Sequence, residues 1–174
     1  VYVRPIDLAA KCKAADAVIA VAPSITQDLR ILAGGTPCEL VYCGVDGTRF
    51  HPLADPAQRE ERWLFYSRLV DCKGIEDILA AWALLPAPQR PPLDIIGDGV
   101  LREKLERYVE ENNLEDKVHF LGMQNLAWIA RNGPTYRALI TAFKQGADGS
   151  RDTAPMVLKE AMAMGLPIVT TNFA

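Results

Sequence analysis

The chain has 174 residues, 49% of them apolar and 24% charged, which is the balance of a soluble globular protein of one domain or parts of two. Its net charge of −3 argues against binding nucleic acid mainly through charge, while leaving room for a phosphate site built from two or three local cations. No apolar run approaches the ~20 residues needed to cross a bilayer, and the opening residues VYVRPIDLAAKCKAAD lack the layout of a signal peptide. Cys12, Cys38, Cys43 and Cys72 show no Cys-x-x-Cys spacing, and His51 lies far from His119 in sequence. No metal site is expected, and the four thiols are expected free and buried in a reducing compartment.

In chain order, AVIAVA (17–22) predicts a buried strand, with Ser24 as cap of a helix that runs to Leu32 and ends at Gly34-Gly35. ELVYC (39–43) predicts the next strand. GVDGTRFHPLADP, rich in Gly, Asp and Pro, then reads as a linker. Beyond it the pattern restarts with a strand at WLFYS (63–67) and a helix at GIEDILAAWALL (74–85). LDIIG (93–97) predicts a strand, Leu101, Leu105, Tyr108 and Val109 mark a helix, and VHFLG (118–122) predicts another strand. The segment from Met123 to Arg137 gives no clear pattern. After it come a strand in ALITAF (138–143), a helix in PMVLKEAMAM (155–164) and a strand in LPIVTT (166–171).

Strands with little alternation, each followed by a helix-length segment, predict a doubly wound α/β fold, a Rossmann-like parallel sheet covered on both faces. The first fifty residues hold only about two strands, too few for a domain. The expected division is therefore 1–52 as the tail of a preceding domain plus hinge, and 53–174 as a ligand-binding domain cut short at its C-terminus.

In such sheets ligands sit beyond the carboxyl ends of the strands. Three loops fall there. In SRLVDCKG (67–74), Arg68 and Lys73 bracket a loop whose Gly74 opens the next helix, an arrangement suited to a pyrophosphate. The alternative is two solvated surface charges. Gly97-Asp98-Gly99 allows a close backbone approach but does not fit Gly-x-Gly-x-x-Gly, and a plain turn serves as well. The third stretch is Asp152 to Glu160. Pro155 suits a first helical turn, and Asp152 or Thr153 could cap that helix. Glu160 lies among alanines and methionines, so an inward carboxylate would need a partner such as a ribose diol, whereas an outward one would sit beside Lys159.

Together these segments resemble the retaining GT-B-fold glycosyltransferases with a Glu-x7-Glu motif, the glycosyl transferases of group 1, over roughly residues 15–172. ADAVIAVAPSITQDL is similar to the last strand and helix of the family's acceptor-side domain. GVDGTRFHP is similar to its hinge, and SRLVDCKG to its Gly-Arg-Leu…Lys-Gly loop. IIGDG and VHFLG match the next two loops, and DGSRDTAPMVLKEAMAMGLPIVTT the Glu-x7-Glu segment. The order of five such motifs is far more specific than any one of them. The chain would then be the C-terminal half of a GT-B fold, from a hexosyltransferase-type enzyme.

The resemblance implies that Arg68 and Lys73 hold the diphosphate of a nucleoside-diphosphate sugar, UDP- or GDP-linked. It implies that Glu160 accepts the ribose hydroxyls, Asp152 touches the transferred sugar, and amides near Met156 and Val157 reach sugar or phosphate. The loop after Gly122 would meet the base. Neither metal nor further cofactor is implied. A saccharide or lipid-linked acceptor, a cytoplasmic location and peripheral membrane contact through a preceding N-terminal domain are. Departures from the pattern are Cys43 for the hinge Asn, Ser67 for a Gly, Asp152 for the first Glu and Thr153 for the Gly after it. The last two fall on the sugar site and keep open a domain that binds nucleotide sugar without turnover. Another GT-B enzyme is the remaining alternative. A sugar-nucleotide epimerase would bring histidines into the cleft, but His119 falls in a predicted strand, and no phosphorylase cofactor lysine is identifiable.

Overall fold

A computed structural model describes residues 5–172, which form two compact units, one ending at Gly44 and the other beginning at Val45. The first unit contains α1 (Pro5–Ala14), β1 (Val18–Ala20), α2 (Pro23–Ala33) and β2 (Cys38–Leu40), with β1 and β2 parallel. The α2 helix starts two residues earlier than the serine predicts. Pro23 takes its first position and Ala22 is the N-cap without a side-chain bond, so Ser24 lies inside the first turn. Cys12 and Cys38 are buried, but Cys43 is only half-buried, contrary to expectation, because it lies past the end of β2.

The second unit begins with residues that pack as part of it, since Phe50 is buried in its core with Val45 against the same cluster. Its elements are β3 (Trp63–Tyr66), α3 (Ile75–Leu84), β4 (Leu93–Ile96), α4 (Arg102–Glu111), β5 (Val118–Gly122), α5 (Leu126–Asn132), β6 (Ala138–Ile140), α6 (Met156–Ala163) and β7 (Ile168–Val169). They build a five-stranded, all-parallel sheet in the order β5-β4-β3-β6-β7. The α/β parallel-sheet expectation is met.

Successive side chains of a strand point to opposite faces, and here both faces are dry. Phe65 and Ile95 join one apolar cluster with Ile75, Leu79, Leu105 and Val109 from α3 and α4. Leu64, Tyr66 and Ile96 join another with Ile129 from α5, Ala161 from α6 and Met164 at the C-cap of α6. That two-sided burial is why the strands read as nearly unbroken apolar runs.

Several strands are shorter than their apolar runs. The ladder of β6 stops at Ile140 and that of β7 at Val169, so an extended run continues only as far as a neighbour pairs with it. The unreadable segment resolves into α5, a seven-residue helix capped by Asn125, whose Oδ1 accepts from the Trp128 amide at 2.8 Å. A tight 3₁₀ turn at Gly133–Thr135 follows. Such a short helix presents too few turns to show a period.

Candidate functional site

The loops that carry the predicted residues meet at the carboxyl ends of β3, β4 and β6. The β3 loop cannot be moved independently of its neighbours. Gly74 has φ 67°, and a Cβ there would lie 1.7 Å from the Ala142 carbonyl oxygen just beyond β6. Gly97, φ 136°, would place a Cβ 1.8 Å from the Ser67 carbonyl oxygen. The Leu69 amide donates to the Asp98 carbonyl at 2.8 Å, and Leu101 donates back to Leu69 at 3.1 Å. The Gly-Asp-Gly stretch is thus explained by the close approach of two loops.

Arg68 and Lys73, paired in the sequence, are placed in contrasting settings. Arg68 is exposed. Lys73 ends a 3₁₀ turn, Asp71–Lys73, and is buried, with its ammonium 5.4 Å from the centre of the Phe143 ring. It forms an ion pair with Asp152. The alternative of two solvated charges fails for Lys73.

Asp152 is not the helix cap. Pro155 is the N-cap of α6 and makes no side-chain bond, one position earlier than the first-turn place expected of it. The Asp152 side chain instead turns back to Lys73 with one oxygen and accepts the Ala154 amide at 3.3 Å with the other. Thr153 is exposed and caps nothing.

Glu160 faces inward and is 8% exposed. It stands beside the Tyr66 hydroxyl, which also donates to the Val157 carbonyl at 2.9 Å. Burial pushes the Glu160 carboxyl above its ordinary range, and the Tyr66 hydroxyl partly offsets this. The Tyr66 hydroxyl is itself driven up by burial and by the nearby Glu160 charge.

Arg68, Met156, Val157 and Glu160 line one cavity of about 250 Å³, together with Tyr66, Met123, Gln124 and Leu126. Lys73 and Asp152 pair outside that lining. As the first residues of α6, Met156 and Val157 carry amides with no carbonyl four residues back inside the helix. The cavity therefore offers a cation, helix-end amides, a buried carboxylate and an apolar wall. A polar, anionic ligand with a flat apolar part fits that set. A larger cavity of about 580 Å³, between Arg49, His51 and Arg131, collects none of the predicted residues and does not lie at the strand ends.

Sequence reasoning missed Tyr66, and it pointed to the loop after Gly122 without naming Gln124 or Leu126. Tyr66 reads as one more apolar strand residue, although a tyrosine at the last position of a strand that feeds a ligand loop was a usable signal. Gln124 and Leu126 fall in the segment without a pattern. His119 does lie in a strand, where its Nδ1 sits 3.1 Å from Asp94 Oδ1. Among the described residues, no three His, Cys, Asp or Glu side chains gather as a metal site would need, and no helix is long and apolar enough to cross a membrane.

Comparison with known proteins agrees with this fold. The chain is 29% identical over 148 residues to the amylovoran biosynthesis glycosyltransferase AmsK of Erwinia amylovora, covering 82% of this chain and 36% of AmsK. Its fold is similar to that of sucrose-phosphate synthase from Thermosynechococcus elongatus, with a TM-score of 0.79 at 27% identity over 98% of this chain and 44% of the other. It also resembles Anabaena HepE, solved with UDP-glucose, with a TM-score of 0.75 at 20% identity over 98% of this chain and 50% of that one, a likeness of fold alone. The chain thus spans about a third of AmsK and about half of the two solved proteins. The pattern of the glycosyl transferases group 1 family matches residues 46–174, about three quarters of the chain, and the chain belongs to that family.

Proposed function

We propose that residues 53–174 are the donor-binding part of a GT-B glycosyltransferase, with 1–52 the end of its acceptor-side domain and the hinge. The whole enzyme would move a hexose from a nucleoside-diphosphate sugar to a saccharide or lipid-linked acceptor. The observation that carries this is the convergence of Arg68, Glu160 and the first amides of α6 on one cavity at the strand ends. Glu160 would accept the ribose hydroxyls, and the Met123–Leu126 wall would meet the base. Arg68 and the helix-end amides would face the diphosphate. Lys73 has three N–H donors, so it can keep Asp152 and still reach a phosphate oxygen. The same fold accommodates UDP-glucose in HepE, which makes a uridine donor the first to try.

In this proposal the bond from the sugar's anomeric carbon to the diphosphate breaks while Arg68 and Lys73 stabilise the charge left behind, a role that requires no metal. The acceptor oxygen attacks from the face the leaving group vacates and gives its proton to the departing phosphate, so configuration is retained. Asp152 would contact the sugar, one methylene further back than a glutamate. Involvement in polysaccharide biosynthesis follows from AmsK, and peripheral contact with a membrane would belong to the acceptor-side domain.

The test is calorimetric titration of this chain with a panel of nucleoside diphosphates. Binding in the range of about 0.1–1 mM, roughly 4–5.5 kcal/mol, is expected for at least one of them. No binding by any would sink the assignment of the cavity.

A further inference from the structure

The four loop-to-loop contacts around Lys73 have a consequence for which sugar is bound. The segment after β6, residues 141–155, is tied to the β3 loop at separate points. The Lys144 amide donates to the Cys72 carbonyl at 3.2 Å. The Ala147 amide donates to Asp71 Oδ2 at 2.7 Å, while Asp71 Oδ1 lies 3.2 Å from Lys144 Nζ. The same ammonium reaches Asp77 on α3 at 2.8 Å. Last comes the Lys73–Asp152 pair. Within the segment, the Gly146 amide closes onto the Ser150 carbonyl at 2.9 Å, so what Asp71 holds is a compact turn.

Asp71 is the residue in which these contacts converge. Each of its oxygens has its own donor on the other loop, one a backbone amide and the other an ammonium. Those donors hold the Asp71 carboxyl below its usual range. Charge-assisted bonds of this kind are about twice as strong as neutral ones. Between Lys144 and Asp152 the chain makes one turn, tied to Asp71 at 144 and 147, so the place of the Asp152 carboxylate depends on where Asp71 holds that turn.

We propose that Asp71, with Lys144, is a positioning residue that fixes the 143–152 turn and so sets where Asp152 meets the donor's sugar. It acts on the sugar and not on the nucleotide, because none of its contacts touch the cavity that holds Arg68 and Glu160. The inference rests on the donor-site assignment given above.

Two measurements on this chain test it. Hydrogen exchange should show amides in 144–150 losing protection about tenfold or more in Asp71→Ala, as expected when a charged acceptor of a backbone amide is removed. Unchanged protection overturns the clamp. Should Asp71→Ala not fold, Lys144→Met removes the ammonium alone, and the same region must again lose protection for the clamp to stand. In the second measurement, Asp71→Ala should bind UDP within about twofold of the unsubstituted chain but UDP-glucose about tenfold more weakly, the fold-changes expected when one charged contact is lost from the sugar side only. Equal weakening of both ligands overturns the sugar-specific role. Failure of the unsubstituted chain to bind any nucleotide would remove the donor assignment while leaving the exchange result to decide the clamp.

Discussion

Among the described residues of the second unit, Asp94 and Glu160 are buried carboxylates, and their surroundings are opposite. Asp94, 2% exposed in β4, takes two bonds from Arg62 at 2.9 and 3.0 Å, one from the Tyr136 hydroxyl at 2.8 Å, and has His119 Nδ1 at 3.1 Å. It sits toward the amino ends of the strands. Glu160, toward their carboxyl ends, has the Tyr66 hydroxyl for company, and that hydroxyl is shared with a carbonyl. Asp94 in turn raises the proton affinity of Arg62, and burial together with Asp94 raises that of Tyr136, as a saturated charged network does. A buried carboxylate with all its lone pairs used holds a fold together. One left short of donors is prepared for a ligand that brings them.

Three substitutions should break or sharpen this contrast. Asp94→Ala should have the largest effect, a loss of roughly 3 kcal/mol in denaturant unfolding, because it leaves Arg62 and Tyr136 without their acceptor. A loss below about 1 kcal/mol would mean the network is only decorative. Glu160→Gln should move stability the other way. A carboxyl whose affinity for protons is raised by burial loses stability as pH climbs through its folded value, so the amide should melt higher at pH 8 and no differently at pH 4, below the ordinary range of about 4.3. The same variant should bind nucleoside diphosphate at least about tenfold more weakly, since a charged acceptor of the ligand's hydroxyls is lost. A variant that is stabilised yet binds normally would separate Glu160 from the site. Arg68→Ala should change stability least, within about 0.5 kcal/mol, because the side chain is exposed, while nucleoside diphosphate binding falls below detection. Unfolding of that variant would make Arg68 structural.

Most of the second unit was legible because its strands are buried on both faces and its long helices show a clear period. The strand-end rule also led to Arg68, Glu160 and the start of α6, which the fold gathers at the carboxyl edge of the sheet. The pairing of Lys73 with Asp152 was not legible, since 79 residues separate them and each has a plausible local role, as surface charge or as helix cap. Tyr66 beside Glu160 was hidden for a similar reason. A tyrosine buries its ring like any strand residue, and only the neighbouring helix shows what its hydroxyl meets. The α5 segment escaped because its cap, Asn125, and its stop at Gly133-Pro134 enclose too little helix to produce a period.

The backbone contacts at Gly74 and Gly97 divide the site into parts with different freedom to evolve. Each presses against a neighbouring carbonyl with no room for a methyl group, so a substitution at either would displace two loops together. The β3 and β4 loops therefore form a floor that tolerates little drift. The turn from Phe143 to Asp152 is held mostly through side chains, with one backbone bond from Lys144 to Cys72, so its other positions can change with less disturbance of that floor. If Asp152 meets the sugar as proposed, diversification of the accepted sugar within this architecture would be channelled into that turn, and a library aimed at changing it belongs there.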